Sequence, residues 1–167
     1  MIRRFLCALA ACALLFSSAS AASDMRGMIR LHVIAADDTA EMQALKLELR
    51  DVCLKCAEAC LYGAADADEA YLLLNAHLDD FEAACKQRAH QLGYGEAIHA
   101  ETGSFEFPTR MYGALRVPAG RYRALRITIG AGEGHNWWCV LYPTLCTSAA
   151  EPKEELAAAG LDRKSVV

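Results

Sequence analysis

The chain has 167 residues, 54% of them hydrophobic, with a mean hydropathy of +0.13, which suits one domain with its own core. The formal net charge is −4 and the isoelectric point about 5.7. That balance argues against the basic face on which nucleic-acid binding depends.

The apolar excess begins at the N-terminus. Arg3 and Arg4 form a positive start, Phe5 to Phe16 is a run of twelve apolar and small residues, and Ala19-Ser20-Ala21 fits an A-x-A cleavage site. These are the three parts of a secretory signal peptide, so residues 1–21 are expected to be removed on export. Twelve residues rise only about 18 Å as a helix, short of a hydrocarbon core of roughly 30 Å. An uncleaved anchor and lipoprotein processing at Cys12 are the competing readings. Removal of Arg3, Arg4, Cys7 and Cys12 takes the net charge from −4 to −6 and leaves six of the eight cysteines. These six are Cys53, Cys56, Cys60, Cys85, Cys139 and Cys146, and an even count in an exported domain reads first as disulfides. No second apolar stretch approaches spanning length. Membrane contact is therefore expected only through the signal peptide or a partner.

A single domain is expected over residues 28–146. Met28 to Ala35 alternates, with Ile29, Leu31 and Val33 on one face and Arg30 and His32 on the other, which predicts a half-buried strand. Asp38 with Glu41 three residues on is a capping-box pattern. The helix it predicts carries Met42, Leu45, Leu49, Val52, Cys53, Cys56 and Cys60 on one stripe and ends at Tyr62-Gly63. Asp66 and Glu69 repeat the pattern and predict a second helix, with Leu74, Leu78, Phe81, Cys85 and Leu92 facing inward, up to Gly93-Tyr94-Gly95. Two helices joined by a short loop should pack antiparallel.

The rest is strand-like. Residues 96–101 and 105–110 are extended candidates. Met111–Val117 and Arg121–Ile129 flank Pro118-Ala119-Gly120, which predicts a hairpin. Tyr122 and Ala124 are out of phase with Leu125, Ile127 and Ile129, which suggests a bulge near Arg123. The order of elements is α+β, an antiparallel sheet packed against an N-terminal helical hairpin. Residues 147–167 are polar and Ala-rich and read as a mobile tail, with Glu151–Leu161 a short-helix candidate.

Four groups carry chemistry worth weighing. Cys53-x2-Cys56-x3-Cys60, with Cys85 and His77 or His90 nearby, has thiolates on one helix face and would suit a metal module. Export weighs against it, in favour of a disulfide-bonded core stripe with Cys85 tied to one of the first helix's cysteines. Gly130-x-Gly132-x-Gly134 has phosphate-loop spacing but no helix after it, so it reads as a tight turn. His135 precedes Cys139 by four residues, the makings of an exported thiol hydrolase. Cys146 offers Cys139 a disulfide partner, and an oxidised cysteine cannot attack. Trp137 and Trp138 are adjacent, so in an extended segment they point to opposite faces, one into the core and one outward as an interface anchor. A C-x6-C loop around Pro143 would hold that display fixed. Either Phe107-Pro108 or Tyr142-Pro143 is a candidate cis bond. His32, His77, His90 and His99 have no ligand spacing among themselves, and Asp79-Asp80 looks like a solvated helix face. No catalytic set, metal site or cofactor is expected, and the partner-contact residues expected are His135, Asn136, Trp137 and Trp138.

Four motifs in order resemble the stage II sporulation protein R family. They are Ile29-Arg30-Leu31-His32-Val33-Ile34-Ala35 followed by Gln43-Ala44-Leu45-Lys46-Leu47 and Arg50-Asp51; Phe107-Pro108-Thr109-Arg110 with Tyr112-Gly113; Pro118-Ala119-Gly120-x-Tyr122-x-Ala124-Leu125-Arg126; and Gly134-x-Asn136-Trp137-Trp138-Cys139-Val140-x-Tyr142-Pro143-x-Leu145-Cys146. Cys53, Cys56, Cys60 and Cys85 stand outside these motifs. The resemblance implies a signal of endospore formation, made in the forespore and secreted into the space between the two membranes. There it activates a membrane-embedded aspartic protease of the mother cell, which processes the mother-cell pro-sigma factor. The signal itself is not an enzyme in this family.

Overall fold

The computed structural model describes residues 27–144. The expected signal peptide, the C-terminal tail and Cys146 lie outside the described residues. The elements run β1 (Ile29–Ile34), α1 (Ala40–Cys60), α2 (Ala67–Ala76), α3 (Leu78–Gln91), β2 (Ile98–Phe107), β3 (Arg110–Tyr112), β4 (Leu115–Val117), β5 (Gly120–Ile129) and β6 (Asn136–Tyr142). The class is α+β, as the sequence predicts.

Both capping signals work, one of them a residue away from where the pattern places it. The α1 cap is Thr39 rather than Asp38: its Oγ1 accepts from the Met42 amide at 3.3 Å, and Asp37 fixes Thr39 by accepting its backbone N–H at 2.8 Å. Asp38 is thereby free to reach elsewhere. Asp66 caps α2, accepting from the amides of Asp68 and Glu69 at 2.9 Å each, while Glu69 reaches back to the Ala65 amide at 2.8 Å. Gly63 takes φ +82° just past α1.

The second predicted helix is two. It breaks at His77, whose backbone leaves helical geometry (φ −107°, ψ 15°) and whose Nδ1 bonds Asp80 Oδ2 at 2.8 Å in the first turn of α3. Three helices therefore stand where the sequence predicts a two-helix hairpin. They bury Leu45, Leu49, Cys53, Leu74, Phe81 and Cys85 against one face of the sheet, where Leu31, Val33, Leu125, Ile127 and Ile129 wait. Each such side chain contributes about 1.5–3 kcal/mol of burial.

The main sheet has the order β2-β5-β1-β6. It is mixed, not purely antiparallel: β1 and β5 run parallel, with Leu31 opposite Leu125 and Val33 opposite Ile127, while β6 and β2 flank them antiparallel. The predicted hairpin about Pro118-Gly120 does not form. Residues 98–107 make one long strand that takes β5 as its partner, from Ile98 opposite Ile129 to Phe107 opposite Gly120. Met111–Val117 instead folds on itself as the small β3–β4 sheet, with Tyr112 opposite Leu115 and Gly113 at φ +60° in the turn. Nor is there a bulge at Arg123. The register of β5 is continuous there, and the irregularity falls between Ile29 and Arg30 against β6.

Tyr122 and Ala124 looked out of phase because the sheet has a second core. They join Phe107, Val117 and Val140 in a buried cluster on the face away from the helices. For the same reason β1 is not half-buried: Arg30 is 0% and His32 8% exposed.

Candidate functional site

Alternation along β6 places its residues in two settings. Trp137, 3% exposed, enters the helix-side core with Cys139 and Leu141, and the Arg50 guanidinium lies 5.2 Å from its ring centroid. Asn136, Trp138 and Val140 point to the other face. One tryptophan is core and the other belongs to the second face, as the adjacency predicts.

On that second face the strand register builds a lattice. Arg30 sits between Ala124 of β5 and Val140 of β6, and His32 between Arg126 and Trp138. Cross-strand neighbours approach to about 4.5–5.5 Å, so small Ala124 and Val140 leave room for the long Arg30 side chain. Its guanidinium carbon lies 4.3 Å over the Phe107 ring, 5.1 Å from that of Tyr122 and 5.7 Å from that of Tyr112. Arg30 Nε donates to the Cys139 carbonyl at 3.3 Å and Nη2 to the Tyr112 hydroxyl at 2.6 Å. Burial lowers the pKa of this guanidinium despite the support of the tyrosines, and Arg110 pushes the same way.

His32 stacks on Trp138 at 5.7 Å and 21° and tilts against Phe107 at 5.8 Å. Its Nε2 lies 3.0 Å from Asn136 Oδ1, an acceptor, so Nε2 carries the hydrogen in this arrangement. Burial lowers the His32 pKa, and the charges of Arg126 and Arg30 add to the effect. Arg110 lies 4.1 Å over the Trp138 ring, while Arg126 is held to one oxygen of Glu101 at 2.8 and 2.6 Å. The β3–β4 sheet covers part of this cluster through Tyr112, whose hydroxyl also donates to the Trp138 carbonyl at 3.2 Å. Arg30 Nη1 and His32 Nδ1 are buried and have no hydrogen-bond partner among the described residues.

His135 stands apart. It is exposed in the turn before β6, with Nδ1 2.5 Å from Asp38 Oδ1, and its amide donates to the same oxygen at 2.6 Å. These hydrogen bonds lower the Asp38 pKa. The Lys46 ammonium ties the turn to α1 by donating to the His135 carbonyl at 3.2 Å. Gly134 permits the approach: a Cβ there would lie 2.2 Å from the Asp37 carbonyl oxygen. Gly130 and Gly132 form the tight turn that the sequence predicts, with φ +55° and +66°.

The Cys–His pair is not assembled. Cys139 is 1% exposed on the helix side and disulfide-bonded, with its partner outside the described residues. His135 is four extended residues away, about 13 Å along the strand. The remaining described cysteines, Cys53, Cys56, Cys60 and Cys85, are free thiols. The expected bond between the helices is therefore not formed, but the expected neighbours are close: Cys53 and Cys85 Sγ atoms lie 3.5 Å apart in the core. That contact and burial push the Cys53 thiol well up, and burial raises Cys60 to about 11. Among the described residues no group of His, Cys, Asp and Glu is placed to hold a metal ion. No helix among them is long and apolar enough to cross a membrane. Tyr142–Pro143 is cis.

Of the expected contact residues, the structure brings Asn136 and Trp138 together, buries Trp137 on the far side and sets His135 at the rim. Residue-level reasoning missed Arg30, His32, Phe107, Arg110, Tyr112 and Tyr122 as one site. Every one of them stands in the four motifs, and the fold brings all four motifs to this face.

A family model described as stage II sporulation protein R matches residues 25–151. Among curated proteins, the stage II sporulation protein R of Bacillus subtilis (strain 168) is 36% identical over 118 residues, covering 71% of this chain and 53% of that protein. The chain thus spans about half the length of the curated relative it matches. No solved structure matches.

Proposed function

The chain belongs to the stage II sporulation protein R family, and from that premise we propose that it is a secreted intercellular signal of endospore formation. In this reading it leaves the forespore by its signal peptide and activates a membrane-embedded aspartic protease of the mother cell. That protease then processes the pro-sigma factor. The protein does this as a binding partner, without catalysis of its own.

The observation that carries the reading is the convergence of the four family motifs on the Arg30–His32–Trp138 face. The pairwise geometry there is one of recognition: aromatic planes, guanidinium groups and one tryptophan of intermediate exposure in a rigid strand. The thiol-hydrolase alternative is weakened by the disulfide at Cys139 and the distance to His135. The metal-module alternative finds no ligand set among the described residues.

The test is co-expression of a candidate membrane protease and its pro-sigma substrate, with and without this protein. Processing that depends on the protein supports the role. Processing that is equal in its absence, with the protein exported and folded, refutes it.

A further inference from the structure

Arg30 is fully buried, yet no carboxylate among the described residues is paired with it; its surroundings are Phe107, Tyr112, Tyr122 and the further cation Arg110. Glu101, on the same face of the sheet, has one oxygen engaged with two nitrogens of Arg126. A buried cation without an anion is costly, and evolution tolerates such groups chiefly where something arrives to compensate them. Two buried nitrogens two residues apart on one face of β1, Arg30 Nη1 and His32 Nδ1, also have no hydrogen-bond partner among the described residues. Both side chains pack on the same Phe107 ring.

We propose that the face above the middle of β1 is a binding site for one carboxylate, with one oxygen on Arg30 Nη1 and the other on His32 Nδ1. Two open nitrogens, one on each side chain, match the two oxygens of one carboxylate. With Nε2–H engaged by Asn136, Nδ1 of the neutral ring has only a lone pair. It receives a proton from solvent when the carboxylate enters and then donates it. Binding is therefore coupled to uptake of one proton. The groups facing His32 are Arg30 on its own strand, Arg126 on β5, Trp138 and Asn136 on β6, and Phe107 on β2.

The β3–β4 sheet beside this face has no backbone ladder to the main sheet. It is latched by Tyr112, and it carries exposed Met111 and Leu115 on either side of its turn. That the carboxylate is an acidic side chain of the protein partner rests on the signalling role proposed above. The site itself does not.

The test uses the purified, nitrogen-15-labelled chain, with the Trp138 indole N–H signal assigned from W138F. Sodium acetate, acetamide and sodium chloride are titrated at matched ionic strength. Then follow two peptides, one with a glutamate and an amidated end, the other with a free C-terminus and no acidic side chain. Acetate should shift the Trp138 signal saturably and the Trp137 signal much less, with acetamide and chloride inert. Apparent affinity should rise by up to about tenfold per pH unit as pH falls towards the His32 pKa, the limit for one linked proton. R30M should abolish the response. If R30M fails to fold, H32Q decides: it should bind acetate with the pH dependence gone. A response to the glutamate peptide alone assigns a side chain, and a response to the other alone assigns a chain terminus. No saturable acetate shift, an equal response to acetamide, or an H32Q variant with unchanged pH dependence would overturn the proposal. None of these outcomes bears on sigma-factor processing, so the signalling role stands or falls separately.

Discussion

Trp137 and Trp138 are neighbours in sequence and opposites in the fold, so replacing each with Ala should separate stability from recognition. Trp137 is 3% exposed in the helix-side core. A tryptophan buries about 150–250 Å², worth roughly 4–6 kcal/mol at 25 cal/mol per Å², in line with measured losses of about 3–5 kcal/mol for Trp→Ala in cores. Trp138 is only half-buried, and what it loses is mainly the His32 stack and the Arg110 contact at 4.1 Å, together about 1–2 kcal/mol. With a urea m-value near 2 kcal/mol/M, W137A should lower the unfolding midpoint by about 2 M and W138A by less than about 1 M. In the processing assay W138A should be exported and folded, yet inactive. Equal destabilisation of the two variants would refute the two-face account of β6. A W138A protein with full processing activity would remove Trp138 from the recognition face.

Four further outcomes follow from the geometry. His32 has a folded pKa below its ordinary 6.5, so the unfolded state binds more protons, and its contribution to stability is complete above pH 6.5 and lost as pH falls through the folded value. Urea titrations in a non-carboxylate buffer should show wild type losing more stability than H32Q between pH 7 and 5. Cys60, half-buried with its thiol raised to about 11, should react with iodoacetamide at pH 8 about 100-fold more slowly than a thiol at 9.0, and about tenfold faster per pH unit up to pH 10, read site by site by mass spectrometry. Refolding of the reduced chain in oxidised glutathione should join Cys53 to Cys85, releasing two reduced glutathiones, because the fold brings their Sγ atoms to 3.5 Å. Closing that 32-residue loop should add about 3–4 kcal/mol of stability, and peptide mapping that finds a different pair would contradict the packing of α1 on α3. G134A places a Cβ 2.2 Å from the Asp37 carbonyl, backbone against backbone, and should cost at least about 2 kcal/mol in thermal unfolding.

What the sequence reveals is mostly local. The stripe on α1, the Asp66 cap, the Gly63 terminator and the opposed tryptophans need only helical or strand periodicity; Met42, Leu45, Leu49 and Cys53 are buried as it places them, while Val52, Cys56 and Cys60 are only partly buried and Ala57 takes the core position near the end of the helix. The second face was illegible for the opposite reason. Arg30 and His32 look like the solvent side of an amphipathic strand, because periodicity assigns polar residues to water. Here aromatic side chains from β2, β3 and β5 close over them, a long-range fact that alternation in β1 does not contain. The same second core put Tyr122 and Ala124 out of phase and invited a bulge. The β5 partner was missed because a nearby turn, Pro118-Gly120, competed with a strand more distant in the chain. The helix break at His77 has no proline or glycine to announce it.

The claim that the motif face meets the partner is tested most directly by site-specific photo-crosslinking in the co-expression system. A crosslinker at Leu115, exposed on the β3–β4 sheet beside that face, is compared with one at Leu72, exposed on helix α2. An adduct with the membrane protease is expected from position 115 and none from 72. Adducts from 72 alone, or from both positions equally, would contradict it.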